Sequence, residues 1–207
     1  MKLVIGDKNF SSWSMRPWIL LKHFGIAFDE VLIPLYRPES KAKLLKLLPT
    51  SKVPCLTIDA GDVVWESLAV VETLAEAHTE QAMWPRDAIA RAHARSVSAE
   101  MHVGFAALRE NMPMDICKRA TGHEATPEAL ANIACIEALW GDCLAKFDGP
   151  FLFGKSSIAD AMFAPVVTRF ISYGASLNDT SRAYCERVIE LPAVVAWIAD
   201  AREETKQ

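Results

Sequence analysis

Ser51-Lys52-Val53-Pro54-Cys55-Leu56-Thr57-Ile58-Asp59-Ala60-Gly61-Asp62-Val63-Val64-Trp65-Glu66-Ser67 is the stretch on which the fold turns. Pro54 to Ile58 and Val63 to Trp65 are short runs of β-formers that flank Asp59-Ala60-Gly61-Asp62, and this spacing predicts a hairpin. Ser67 then caps a helix whose apolar residues Leu68, Val71, Leu74 and Ala75 share one face. Upstream, Lys2 to Ile5 and Phe28 to Leu35 read as strands. Between them Ser14-Met15-Arg16-Pro17-Trp18 opens a helix, with Ser14 as its cap, proline in its first turn and Gly25 at its end. The Lys/Leu-rich stretch from Pro38 to Leu48 is helical by propensity, and Pro49 stops it.

The resulting order, β-α-β-α-β-β-α, matches a thioredoxin-like unit. It is too short for a dinucleotide-binding domain, and no G-x-G-x-x-G follows its first strand. After Trp84-Pro85 the β-branched runs stop and Ala, Arg and Glu dominate at helical spacing. The expected organisation is therefore a thioredoxin-like domain over residues 1–80 and an all-helical domain over 86–207. In the second, Ile133, Ile136, Trp140, Cys143, Leu144 and Phe147 form an inward stripe. Ser157-Ile158-Ala159-Asp160 is a capping-box variant opening a helix that Pro165 is expected to kink, and Pro192 begins the last helix.

Composition excludes several classes of function. The net charge of −4 provides no basic field for a phosphate backbone, so no nucleic-acid partner is expected. No uncharged apolar run is long enough to span a bilayer, and no membrane association is expected. Asp7 falls where a leader peptide needs its apolar region, which predicts an unprocessed, cytoplasmic chain. The five cysteines include no C-x-x-C, so neither a disulfide framework nor a dithiol pair is expected. The five histidines lack ligand spacing, and no metal site is expected. Residues 149–156, Gly-Pro-Phe-Leu-Phe-Gly-Lys-Ser, satisfy the letters of a P-loop. They follow a helical stripe rather than a strand, and Pro150 lacks an N–H, so a turn into the next helix is the better reading.

Three polar segments converge if the first domain is thioredoxin-like. Asn9-Phe10-Ser11-Ser12-Trp13-Ser14 gathers hydroxyls at a helix N-terminus, where free N–H groups and the helix dipole favour an anion such as a thiolate; the same serines could simply shape and cap the turn. Val53-Pro54 suggests a cis bond that turns the Val53 backbone towards an extended ligand, or a proline that only initiates a strand. Glu66-Ser67 could hold an ammonium and a carboxylate, or serve as a plain cap.

Taken together these motifs resemble the cytosolic glutathione transferases of serine type along the whole chain. The matching residues are S-S-x-S-x-R-P-W from Ser11 to Trp18, S-K-V-P from Ser51 to Pro54, E-S at Glu66 and Ser67, and S-I-A-D at Ser157 to Asp160. Trp13 stands where some serine-type members carry a small residue or cysteine, and Ser51 where relatives often have glycine. The resemblance implies glutathione as co-substrate and Ser11 or Ser12 as the hydroxyl facing its sulfur, with Ser11 favoured because it lies further from the helix cap. It counts Trp13 and Pro54 among the glutathione-binding residues and assigns the Val53 backbone to the cysteinyl unit, Lys52 to the glycine end, and Glu66 with Ser67 to the γ-glutamyl end. S-I-A-D is, by the same resemblance, a folding element.

The activity so implied is a glutathione transferase that lowers the thiol pKa for attack on a small, largely apolar electrophile. A free thiol of pKa about 8.5 is only roughly 3% ionised at pH 7, and a drop of about two units, some 2.7 kcal/mol, raises the thiolate roughly 25-fold. A co-substrate pocket would draw on Phe10, Met101, His102 and Phe105, residues that could equally be core or interface. Alternatives are a glutathione-dependent disulfide reductase, for which Cys55 is the nearest thiol, a small-metabolite isomerase, or a non-catalytic binding module. A two-fold homodimer is also implied, with the first domain of each subunit against helices from about Arg86 to Met112 of the other, and Val97, Met101 and Phe105 at that surface.

Overall fold

Leu3, Val4 and Ile5 are all buried, because β1 (Lys2–Ile5) lies inside the sheet and is covered on both faces. The computed structural model describes residues 1–47, 50–58, 61–120 and 122–206. β1 pairs in parallel with β2 (Asp29–Leu32), Lys2 opposite Asp29 and Ile5 opposite Leu32, and the crossover between them is α1 (Ser12–His23). On its other side β1 pairs antiparallel with β3 (Cys55–Thr57), which pairs antiparallel with β4 (Val63–Trp65). The sheet order is β2-β1-β3-β4, and the fold is thioredoxin-like at its N-terminus and helical thereafter.

Where elements differ from the sequence expectation, a local bond or a proline accounts for it. β2 ends at Leu32 rather than Leu35, because Pro34 has no N–H to continue the ladder and the Leu35 N–H donates to the Asp7 carboxylate instead. Helix α2 covers only Ser40–Leu45, since Ser40 folds back on the Arg37 and Pro34 carbonyls in a turn; the expected end at Leu48 and Pro49 lies outside the described residues. The β3–β4 connection closes with Ile58 N–H donating to Asp62 O at 3.0 Å and Gly61 at φ +87°, while Asp59 and Ala60 lie outside the described residues. Helix α3 (Ser67–Ala77) begins with Ser67 inside it, so its cap is Glu66, one residue before the expected one. Its buried side is Ser67, Val70, Val71 and Leu74, and Leu68 and Ala75 are partly covered.

The rest of the chain is α4 (Ala88–Val103), α5 (Ala106–Asn111), α6 (Pro127–Lys146), α7 (Ile158–Tyr173), α8 (Asp179–Ile189) and α9 (Pro192–Glu204). Every residue of α7 except Ile171 is buried, and α1, α4 and α8 pack against it. Because α1 also packs on α9, one apolar core runs from Leu3, Met15 and Trp18 to Trp140, Phe163 and Trp197. The orientation of α1 is thus set by the helical half. The capping box forms as expected: Asp160 accepts from Ser157 N–H at 2.9 Å and Leu152 N–H at 3.1 Å, and buried Tyr184 adds its hydroxyl at 2.9 Å. Helix α7 runs on through Pro165. The P-loop-like letters at 149–156 form the turn between α6 and α7, with no strand before them.

Candidate functional site

The loop after β1 folds back on its own backbone, Phe10 and Ser11 N–H both donating to Asp7 O, and this starts α1 two residues before Ser14. Ser11, expected to lie away from the cap, is itself the N-cap, and its side chain makes no cap bond. Ser14, expected as the cap, sits in the first turn, where its Oγ accepts from Gly6 N–H at 3.1 Å and from the Ser11 hydroxyl at 2.7 Å. Ser11 and Ser12 are 4% and 5% exposed, so both hydroxyls sit at the inner side of the helix start.

Across from this loop, Trp13, Leu35, Ser51, Lys52, Val53, Pro54 and Glu66 line a cleft of about 390 Å³. Five of the expected ligand contacts, Trp13, Lys52, Val53, Pro54 and Glu66, are therefore brought together on one surface. The Val53–Pro54 peptide is cis. Glu66 adopts φ +67°, a conformation that costs a residue with a side chain about 1–3 kcal/mol and holds its carboxylate at the start of α3. Ser67 is fully buried behind that cleft, its Oγ accepting from Arg16 Nη1 at 3.1 Å. Ser11, Ser12 and Ser67 thus flank the cleft rather than line it.

A group of cations surrounds Trp13 that sequence reasoning missed. The Arg16 and Arg109 guanidinium carbons lie 4.3 and 4.8 Å from the Trp13 ring centre, and His102 meets it edge-on at 5.2 Å. Arg16 is buried, and its Nε and Nη2 have no hydrogen-bond partner among the described residues. Arg109 caps the end of α4, donating to Gly104 O at 3.0 Å and to the Met101 carbonyl. Arg169 is buried and donates to Met112 O and Pro165 O. Among the described residues none of the three has a carboxylate in ion-pair contact. Burial and the neighbouring Arg109 charge push the Arg16 pKa well down, and burial followed by Arg16 lowers that of His102, against the pull of Glu66 at 3.7 Å. Arg16 was visible only as a letter of the S-x-R-P-W motif, and nothing in the sequence ties Arg109 to Trp13.

Of the expected co-substrate residues, Phe10 is exposed and His102 touches Trp13, whereas Met101 and Phe105 belong to the core. Val97 is also in the core, which corrects its assignment, and that of Met101 and Phe105, to a subunit interface. Cys55 is fully buried, and burial pushes its thiol up to about 11, which opposes thiolate chemistry there. His93, Asp142 and Cys143 bring their ligand atoms within 4.8 Å of one another, but burial, ahead of the Asp142 charge, pushes the Cys143 thiol up to about 12. Among the described residues no helix is long and apolar enough to cross a membrane.

A thioredoxin-like sheet with a cleft at the starts of its first and third helices, backed by a helical bundle, defines the class. Residues 10–77 match the family of the glutathione S-transferase N-terminal domain. A probable maleylacetoacetate isomerase of Caenorhabditis elegans is 27% identical over 205 residues, covering 96% of this chain and 92% of its own. A glutathione transferase homologue from Burkholderia, solved with bound glutathione, superposes with a TM-score of 0.75 at 24% identity over 98% of each chain. The holo structure of a maleyl pyruvate isomerase, a bacterial zeta-class glutathione S-transferase, gives 0.74 at 23% identity, covering 95% of this chain and 96% of that one. Residues 10–77 thus match that domain family, and the chain shares the fold of these solved glutathione transferases.

Proposed function

We propose that the chain is a glutathione-dependent enzyme whose thiolate adds reversibly to an activated, acidic double bond and so isomerises it. The observation that carries this reading is the joint lining of one cleft by Trp13, Lys52, Val53, Pro54 and Glu66, beside the Ser11 loop. In it the Val53 backbone pairs with the cysteinyl unit, Lys52 attracts the glycine carboxylate, and Glu66 takes the γ-glutamyl ammonium. The start of α3, at Ser67, receives the γ-glutamyl carboxylate. Ser11, at the N-terminus of α1, turns its single O–H from Ser14 to the sulfur when glutathione binds, with Ser12 as the competing choice.

Addition of the sulfur to one alkene carbon makes the former double bond single. Rotation and expulsion of the same thiolate then return the other geometric isomer with glutathione regenerated. Similarity to proteins named maleylacetoacetate and maleyl pyruvate isomerase supports this outcome, as does the positive field of Arg16 and Arg109 beside Trp13, which favours a carboxylate in the cleft. The second reading is conjugation, in which the same thiolate displaces a leaving group from an electrophile and glutathione is consumed. The division into units of residues 1–80 and 86–207 belongs to the same proposal, as does a homodimer, for whose surface the exposed Trp65, Ile89 and Val103 are the apolar side chains offered.

A cis-enedioate substrate followed by NMR with limiting glutathione tests the choice. Many turnovers per glutathione are expected. Stoichiometric loss of glutathione with an aryl halide and no isomerisation favours the transferase, and glutathione binding without either reaction favours a non-catalytic module.

A further inference from the structure

The turn that carries Ser11 is held from outside its own domain. Glu204, the last residue of α9, accepts the Lys8 backbone N–H at 2.7 Å. One turn earlier Asp200 takes the Lys8 ammonium at 2.7 Å, and Glu30 of β2 shares it at 2.8 Å. Trp197 donates its indole N–H to Lys8 O at 2.9 Å, so three residues along one face of α9 grip a single residue of the loop. On the other side the Asn9 side chain donates to Asp115 at 2.9 Å and accepts from Cys117 N–H at 2.9 Å. Lys8 and Asn9 are 4% and 3% exposed, which is rare for such residues and leaves the loop little room to relax.

With the Lys8 N–H held by Glu204 and the Lys8 carbonyl by Trp197, the direction of this backbone is fixed, and Ser11 follows within the same turn through its N–H bond to Asp7 O at 2.8 Å. We propose that Glu204 is a positioning residue for thiol activation, clamping the Lys8 backbone from α9 so that the Ser11 hydroxyl and the first N–H groups of α1 converge on the glutathione sulfur. The inference rests on the glutathione reading given above. It makes the end of α9, 196 residues away in sequence, part of the thiol site without touching it.

Glu204→Ala tests it in the whole chain, with Glu204→Gln as the conservative partner and Glu203→Ala as control, since Glu203 is exposed and its carboxylate, among the described residues, pairs only with Lys206. Lys8 keeps Asp200 and Glu30 in these variants, so the ammonium remains paired. The readouts are glutathione affinity by calorimetry and the bound thiol's pKa by thiolate absorbance. Glu204→Ala is expected to raise that pKa by about one unit, cutting the thiolate fraction near neutral pH several-fold, while affinity changes less than about twofold. Glu204→Gln, which still offers an acceptor, should recover most of the effect, and Glu203→Ala should show none. An unchanged thiol pKa in Glu204→Ala, with Ser11→Ala raising it, overturns this inference alone. Absence of glutathione binding by the wild type overturns both it and the reading of the cleft.

Discussion

The Ser11 and Ser14 hydroxyls are 2.7 Å apart, and the Ser14 oxygen also receives the Gly6 N–H at 3.1 Å. Ser14 therefore links the end of β1 to the first turn of α1 and fixes where Ser11 can point. In Ser14→Ala the buried Gly6 N–H loses its acceptor, at a cost of about 1–3 kcal/mol. Denaturant unfolding should show that loss. Ser11→Ala, which leaves the Gly6 bond in place, should cost less.

Ser67 has two roles that separate experimentally. It is the acceptor for Nη1 of Arg16, a residue whose Nε and Nη2 already lack partners among the described residues. Ser67→Ala should destabilise the fold by about 1.5–3 kcal/mol, because it removes a hydrogen bond to a buried charge. Loss of the γ-glutamyl carboxylate contact should weaken glutathione binding by a similar amount, with turnover at saturation much less affected. Calorimetry on the folded variant reads the second effect. Unchanged affinity would reduce Ser67 to a partner of Arg16.

His102 ties stability to pH. Burial, then the Arg16 charge, lower its pKa from the usual 6.5, with Glu66 pulling the other way. Below pH 6.5 the unfolded chain binds a proton that the native state resists, so this contribution is complete above 6.5 and is lost on acidification. His23, on the exposed end of α1, is also lowered by partial desolvation and acts in the same direction. Unfolding free energy measured from pH 7.5 to 5 should fall with pH in the wild type and fall less steeply in His102→Asn.

A homodimer built on Trp65, Ile89 and Val103 predicts a sedimenting species of twice the chain mass at micromolar concentration. Val103→Glu, on an 81% exposed position, should shift it towards monomer without loss of melting temperature. A monomeric wild type contradicts the proposal.

Much of this was legible in local pattern. β1 and β4 fall on their apolar runs, the α6 stripe is buried at Ile133, Ile136, Trp140 and Cys143, and the Ser157–Asp160 box closes as spaced. The start of α1 was misplaced because the Asp7 carbonyl, which no propensity scale reports, organises the turn before it. Val97, Met101 and Phe105 exceed a single helix face, but α4 packs against α7 as well as α3, which buries Val97 and Met101, and Phe105 at the start of α5 joins the same core. Arg16, Arg109 and Glu204 acquire meaning only from contacts between distant segments, and spacing in one sequence carries no signal for those.

The central claim is that Ser11 lowers the thiol pKa of bound glutathione, and titrating thiolate absorbance against pH in the wild type, Ser11→Ala and Ser12→Ala tests it most directly. The account predicts a wild-type value about two units below the free thiol. Ser11→Ala should raise it by about one to two units, equivalent to about 1.4–2.7 kcal/mol, with affinity nearly intact and Ser12→Ala close to wild type. A Ser11→Ala protein that binds glutathione with the wild-type thiol pKa would contradict it, assigning the role to Ser12 if that variant moves and to the α1 N-terminus alone if neither does.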